Sequence, residues 1–250
     1  RINLTVPRTT YKEKKGVELG DWYLTPGDTP QGEEPKYQVL GKTFECTVLH
    51  DSMQLSMRDD ADNRTLMETT EFQNFSGEPI FLFDGRSGPL HVAAVAPYSG
   101  NAVHTLANIR KDPRFPTKTS KDGSMQVSAI GFDFNVYVML PDGTIAVVMN
   151  TKRGHFGTDP KTGDTAEFGS VTPDSFMRCR ATCHEQTPGL TLAHRWRVSH
   201  VKVGGPSDEP RPAFEVLGLQ DPAKVTEIRE AAEWLLRYRQ QKWADKIGYA

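Results

Sequence analysis

Two cysteines and two histidines lie close together in the last third of the chain and could bind a metal. Cys179, Cys183, His184 and His194 supply thiolate and imidazole groups, which are the usual ligands of tetrahedral zinc. The C-x-x-x-C spacing lies within the known range, but the second pair lacks a short motif of its own. Unpaired thiols are therefore the favoured interpretation, with no cofactor, and a zinc-containing protein is kept as an alternative.

The known signatures of nucleophilic catalysis and nucleotide binding are missing from the sequence. The segment GRSG at 85–88 has the wrong spacing for a nucleophile elbow, and neither a P-loop nor a GxGxxG pattern is found. His50, Asp51 and Ser52 contain the residue types of a catalytic triad, but neighbours in sequence do not have triad geometry. We therefore expect a protein that is not an enzyme.

Basic and aromatic side chains are interleaved on the predicted strands and loops of the second half. Such surfaces bind single-stranded nucleic acid because cations follow the phosphates while flat rings stack on bases, at about 1 to 3 kcal/mol per base. The candidate nucleic-acid-binding residues are Tyr137, Lys152, Arg153, His155, Phe156, Arg195, Trp196, Arg197 and Lys202. Large aromatic residues of alternating strands are mostly buried, so a core position for Trp196 is the competing interpretation.

Residues 128–150 predict a long β-hairpin that positions Tyr137. Positions 130–140 alternate in period 2, which is typical of a strand, and the alternation resumes over 145–149. The sequence Pro-Asp-Gly at 141–143 favours a chain reversal between them. We expect this hairpin at the centre of a sheet, with Tyr137 on its polar-aromatic second face.

Other elements follow from shorter patterns. The strands or hairpins predicted are 37–50 with a bend at Gly41, 78–95, 190–203 and 213–217. Loops are predicted at 51–64, at 114–123 and, at greater length, over 151–173, while 101–109 could form a short helix. Trp22-Tyr23-Leu24 would be a docking point or first strand within an otherwise extended N-terminal arm.

The C-terminal residues predict a helix that packs on the sheet. Asp221 suits the N-cap and Pro222 the first helical position. The predicted apolar face consists of Val225, Ile228, Ala232, Leu235 and Tyr238. Acidic residues precede Arg237, Arg239, Lys242 and Lys246, an order that complements the helix dipole.

Composition limits the partners and the compartment. The net charge of −2 over 250 residues gives no global attraction to nucleic acid, so such a partner would need a local basic patch. The 3 cysteines are too few for a disulfide framework, which favours a reducing compartment. Because no apolar run approaches the roughly 18 residues of a membrane span, we expect a cytoplasmic protein without a membrane partner.

The overall layout resembles the single-stranded-DNA-binding proteins of tailed bacteriophages. The features that carry the resemblance are the irregular arm, the hairpin IGFDFNVYVMLPDGTIAVVMN, a basic loop, and the late strand PAFEV leading to one helix. The resemblance implies an OB-like barrel that coats single strands during replication or recombination. The flexible acidic tail by which many members recruit replication partners is not matched by the last residues, WADKIGYA.

The predicted fold is mainly β: an OB-like antiparallel barrel or bent sheet with long loops. Its parts are an arm over 1–36, a β-rich core over 37–220 and a packed helix over 221–250. The predicted function is sequence-tolerant binding of single-stranded DNA, with homo-oligomerisation or replication partners possible. The alternative is a structural or assembly protein, because segregated acidic and basic stretches also suit head-to-tail association.

Overall fold

The computed structural model is mainly β, with two α-helices among the residues that it describes. The described residues are 7–9, 16–18, 21–24, 37–58, 65–71, 81–83, 91–93, 117–119, 126–128, 131–150, 176–186, 191–202 and 210–247. The strands are β1 Pro7–Thr9, β2 Trp22–Leu24, β3 Gln38–Gly41, β4 Phe44–Arg58, β5 Thr65–Thr69, β6 Phe81–Phe83, β7 His91–Ala93, β8 Thr117–Thr119, β9 Gln126–Ser128, β10 Gly131–Met139, β11 Ile145–Asn150, β12 His194–Lys202 and β13 Pro210–Leu219. The helices are α1 Phe176–Gln186 and α2 Val225–Ile247.

Strand β4 organises the main sheet because it pairs with three other strands. Antiparallel β10 lies along it from Thr47 to Ser56, and β11 completes the hairpin on the far side of β10. On its other edge, the first residues of β4 pair with β12, and its last residues pair with β5. Strand β13 pairs with β12, so one path through the sheet has the order β11-β10-β4-β12-β13.

The hairpin predicted over 128–150 is confirmed, and its turn uses the chemistry of its sequence. Gly143 has φ +84°, a left-handed value that glycine adopts without the steric cost of a Cβ. The Leu140 carbonyl accepts a hydrogen bond from the Gly143 N–H, and Leu140 N–H donates to Thr144 O. The Asp142 carboxylate accepts a further hydrogen bond from the Thr144 N–H at 2.9 Å, and this hydrogen bond lowers the pKa of the Asp142 carboxyl group.

The hairpin strands bury both of their faces. The inner face packs in the main core, whose largest members are Trp196, Phe176, Phe214, Trp22 and Phe44. We call the opposite side the outer face, defined by Leu49, Tyr137, Met139, Ile145 and Val147. Helix α2 covers the outer face with Ile228 and Leu235, and burying each such side chain is worth about 1.5 to 3 kcal/mol.

Helix α1 and strand β2 pack on the main core from other sides. Helix α1 places Phe176 against Trp196, with ring centroids 5.5 Å apart, and against Phe214 at 5.3 Å. Strand β2, between β1 and β3, contributes Trp22, whose ring meets Phe44 edge-on. The residues Trp22-Tyr23-Leu24 are therefore a strand, as one of the two sequence interpretations held.

Several predicted boundaries are wrong. Residues 51–58 continue β4 instead of forming a loop, because Asp51 is paired with Arg180 of α1 and Ser52 is hydrogen-bonded to Glu71. The segment 114–123 contains β8, which pairs with β9. The predicted helix at 101–109 and the long loop at 151–173 lie outside the described residues. The strands predicted at 190–203 and 78–95 are confirmed as β12 and the antiparallel pair β6 and β7.

The C-terminal helix is confirmed, but its predicted apolar face is only partly right. Asp221 caps a short 3-10 turn by accepting the Ala223 N–H at 3.0 Å, and α2 follows at Val225. Ile228 and Leu235 point into the outer-face cluster, whereas Val225 and Tyr238 are exposed. Tyr238 instead stacks on Trp234, with centroids 5.2 Å apart, because the helix turns its Arg239 side toward the sheet.

Candidate functional site

A cluster of polar and charged side chains lies between α2 and the sheet, next to the apolar part of the outer face. We call it the Glu71 cluster; its members are Glu71, Ser52, Tyr137, Arg239 and Lys242. Glu71 follows β5, in the long connection between β4 and β10, and its side chain is only 1% exposed. Three different parts of the chain therefore meet at this buried carboxylate: the connection that carries Glu71, the strand pair β4 and β10, and helix α2.

One oxygen of Glu71 accepts most of the hydrogen bonds. The hydroxyls of Ser52 and Tyr137 each donate to Oε2 at 2.6 Å. Arg239 donates to the same atom from Nε at 3.0 Å, and its Nη2 forms an ion pair with that atom at 2.9 Å. Lys242 lies 3.8 Å from the other oxygen, Oε1. The guanidinium of Arg239 also lies over the Tyr137 ring, 5.1 Å from its centroid, which adds a cation–π contact.

The electrostatics of the cluster favour a charged, fixed carboxylate. Burial opposes ionisation of Glu71, but the Arg239 guanidinium and the hydroxyls of Ser52 and Tyr137 hold its pKa below the usual value. Burial and the neighbouring Glu71 charge raise the pKa of Tyr137. His50 lies beside Tyr137, and burial followed by the positive charge of Arg239 lowers its pKa to about 4.

These shifts do not suit acid–base catalysis. A general base works best with a pKa near the operating pH, which for a carboxylate requires an upward shift. The pKa of Glu71 moves downward, and that of Tyr137 moves away from neutrality. The geometry therefore describes an ion-pair network that fixes α2 on the sheet, a role that buried and fully hydrogen-bonded charges can perform.

The rings of Tyr137 and Trp196, the candidate aromatic side chains that the structure describes, lie inside the protein. Tyr137 is on the second face of the hairpin, as predicted, but α2 covers that face and leaves the residue 2% exposed. Trp196 is 0% exposed and packs in the main core. The competing interpretation of Trp196 as a core residue therefore describes its position, and neither ring is open to a base in this conformation.

The candidate cations have different surroundings. Arg195 is exposed on β12, opposite Thr47 of β4. Arg197 is neutralised by two carboxylates, Glu215 at 3.0 Å and Glu45 at 3.2 Å. Lys202 ends β12, and its side chain is outside the described residues. Lys152, Arg153, His155 and Phe156 also lie outside them.

The zinc alternative loses its geometric basis. Cys183 is fully buried in the main core, and Cys179 donates to the Phe214 carbonyl, while His184 is exposed on α1. Within the described part of the chain, no three side chains of His, Cys, Asp or Glu come together as a metal site would require. Burial raises the pKa of the Cys183 thiol to about 11, which disfavours the thiolate that binds a metal.

Sequence reasoning missed Glu71 and assigned Arg239 only to the helix dipole. The two residues are 168 positions apart, so no local spacing connects them. A usable signal was the placement of Arg239 four residues after Leu235, on the face that packs against the sheet. A cation on a buried helical face requires an anionic partner, because an unpaired buried charge is costly.

Comparison with known proteins adds no assignment to these observations. No family model matches the chain, and neither the curated proteins nor the solved structures yield a match. Among the described helices, none is long and apolar enough to cross a membrane.

Proposed function

We propose that this chain is a non-catalytic, single-stranded DNA-binding protein built on an OB-type barrel, acting in replication or recombination as the phage proteins that it resembles do. The observation that carries the proposal is the strand order of the main sheet together with the position of α1. An OB-fold is a five-stranded, partly open Greek-key barrel, and its strands 2 and 3 form the face that binds oligonucleotides.

The main sheet supports this assignment element by element. If β4 is taken as the first strand, β10, β11, β12 and β13 follow as strands two to five. The first strand then pairs with both the second and the fourth, and the fourth pairs with the fifth. Helix α1 lies between the third and fourth strands in sequence and packs on the main core through Phe176.

The two end strands come close enough to suggest barrel curvature. Residues of β11 and β13 approach within 8 Å between Cα atoms, although no hydrogen-bonded ladder joins these strands in the described part. The bend is helped by irregular pairing, because the register of β4 against β10 shifts between Tyr137 and Val138. A partly open barrel of this kind is compatible with the OB description.

The surface that would bind DNA differs from the one the sequence predicted. Because Tyr137 and Trp196 are buried, the contacts with DNA would come from exposed side chains. Among the candidates that the structure describes, Arg195 on β12 is the most exposed. Arg197 contributes less, because Glu45 and Glu215 already neutralise it. Binding would then depend mainly on phosphate contacts and be strongly salt-dependent.

An oligonucleotide titration tests the proposal. We expect a fluorescent oligo(dT) to bind at low salt, more tightly than duplex of the same length, and the affinity to fall steeply as salt increases. The variant Arg195→Ala should weaken binding and reduce the salt slope by about 1. Arg229→Ala, which removes an exposed arginine from α2, is the matched control. Absence of binding at low salt, or equal affinity for duplex, would refute the proposal.

A structural or assembly role is the second candidate function. It is favoured by the exposure of large apolar side chains away from the outer face, above all Leu219 at the end of β13, which is 63% exposed. Subunit contacts commonly bury such residues. Light scattering over a concentration series without DNA separates the two candidates. Growth of large assemblies that Leu219→Ser abolishes would favour assembly, whereas a constant mass would exclude it.

A further inference from the structure

We infer that α2 is an autoinhibitory element: it occupies the face on which an OB-type barrel binds nucleic acid, and Glu71 holds it there in the place of a phosphate. This inference rests on the proposed function. In the strand assignment above, β10 and β11 are the second and third strands, whose outer face is the general oligonucleotide-binding surface of OB-folds. In this chain that face is covered by Ile228 and Leu235 of α2.

The groups at the contact between α2 and the sheet are those that a nucleic-acid strand requires. Arg239 and Lys242 of α2 itself supply cations, and the Tyr137 ring on β10 below them is a flat surface of the kind on which bases stack. Their common partner is an anion supplied by the protein itself, the carboxylate of Glu71. Arginine binds carboxylate and phosphate with the same fork of donors, so the two anions compete for Arg239.

Glu71 joins α2 to the connection between β4 and β10. Glu71 lies in the connection between β4 and β10, which corresponds to the loop between strands 1 and 2 that flanks the binding face of OB-folds. It is also bonded to β4 through Ser52 and to β10, one of the two strands of that face, through Tyr137. A phosphodiester that takes Arg239 and Lys242 from Glu71 would release α2 from the loop and from the strands together.

The packing of α2 combines apolar contacts with the ion pairs to Glu71. Ile228 and Leu235 are buried in the outer-face cluster, and Ala231, Ala232 and Trp234 pack against it. Toward the C-terminal half of the helix, the sheet-facing side carries the charged Arg239 in place of an apolar residue. The ion pairs to Glu71 are therefore the part of the attachment that a competing anion can weaken.

The test combines hydrogen exchange with a charge-removing variant. The full-length chain is titrated with an oligo(dT) of about 20 nucleotides, longer than the roughly 4 to 16 nucleotides that one OB-type site covers. We expect the backbone amides of α2 to lose protection at saturation. Glu71→Gln should bind the oligonucleotide about 5- to 150-fold more tightly than the unmodified chain, the usual range of a coupling between two sites.

Glu185→Gln is the matched control, because it removes the same charge from an exposed carboxylate on α1, outside the outer face and the candidate binding residues. Its affinity should stay close to that of the unmodified chain. If the oligonucleotide binds while α2 keeps or gains protection, and Glu71→Gln behaves like Glu185→Gln, the inference is wrong and the proposed function stands. If no chain binds, both fail. If Glu71→Gln does not fold, hydrogen exchange of the unmodified chain decides alone.

Discussion

Glu71 and Arg239 are joined at a single carboxylate oxygen: Arg239 Nε donates a hydrogen bond to Glu71 Oε2 at 3.0 Å, and Arg239 Nη2 forms an ion pair with the same atom at 2.9 Å. Both side chains are largely withdrawn from water, at 1% and 10% exposure. Buried charges in such a pair depend on each other, because loss of either leaves the other without compensation. The stability of the C-terminal helix is therefore tied to a residue in the connection after β5.

Removing the cation of this pair should destabilise the protein strongly. Arg239→Met keeps most of the side-chain volume but leaves the Glu71 carboxylate buried without its main partner. We expect the free energy of unfolding to fall by about 3 to 5 kcal/mol, measured by urea denaturation at neutral pH. Arg197→Met breaks two exposed ion pairs and should cost only about 0 to 1 kcal/mol. Equal losses for both variants would contradict the assignment.

The stability should also fall with mild acidification because of His50. Its pKa is lowered from 6.5 to about 4 in the folded protein, so below pH 6.5 the unfolded chain takes up a proton that the folded chain does not. The free energy of unfolding should then decrease as the pH falls from 6.5 to 4, by about 3 kcal/mol in total. His50→Phe should flatten this part of the profile in urea titrations at several pH values.

A control separates this effect from that of Glu71. The pKa of Glu71 is lowered from 4.5, so its contribution is present above that pH and is lost only as the pH falls further. His184→Gln, which replaces an exposed imidazole of α1, is the matched substitution to be compared with His50→Phe at the same pH values. An unaltered slope in His50→Phe over the same interval would show that another group is responsible.

The cysteines should be unreactive in the folded protein. All 3 are buried free thiols, and burial raises the pKa of Cys46 and brings that of Cys183 to about 11. Because the thiolate is the reactive form, an aromatic disulfide reagent at mildly alkaline pH should modify the native chain slowly. In denaturant all 3 thiols should react at once. A rapid reaction of the native chain would contradict the burial of these thiols in the core.

The turn of the central hairpin should require its glycine. A Cβ at Gly143 would meet nothing closer than Glu227 Oε1 at 3.8 Å, so space does not restrict this position. The φ of +84° does, and we expect Gly143→Ala to lower the free energy of unfolding by about 1 to 2 kcal/mol. Gly143→Asn should cost less, because asparagine tolerates the left-handed region. Equal stability of all three chains by thermal unfolding would exclude backbone strain.

The elements that the sequence predicted are those specified by local patterns. The alternation and the Pro-Asp-Gly turn define the hairpin, and Asp221 with Pro222 defines the helix start. The continuation of β4 through Asp51 and Ser52 was not predictable, because their partners Arg180 and Glu71 come from elsewhere in the chain. Polar residues that usually indicate a loop can lie in a buried strand when such partners satisfy their hydrogen bonds and charges.

The candidate site was harder to predict for the same reason. Period 2 placed Tyr137 on the second face of the hairpin, but a sequence pattern does not tell which element covers that face. Trp196 had both a core and a surface interpretation, and its neighbours Phe176 and Phe214 place it in the core. The exposure of an aromatic ring is decided by tertiary packing, which single-sequence patterns do not contain.

The long reach of β4 also governs how this chain can acquire its fold during synthesis. Its first residues pair with β12, so Glu45 meets Arg197 across 152 positions of sequence. Contacts between such distant segments form slowly, because the entropy of closing a large loop is lost before these contacts can stabilise the chain. One edge of β4 therefore emerges from the ribosome long before its neighbour exists. Until then this edge is available for unwanted pairing with other chains, and a chaperone that shields nascent strands would have most to protect there.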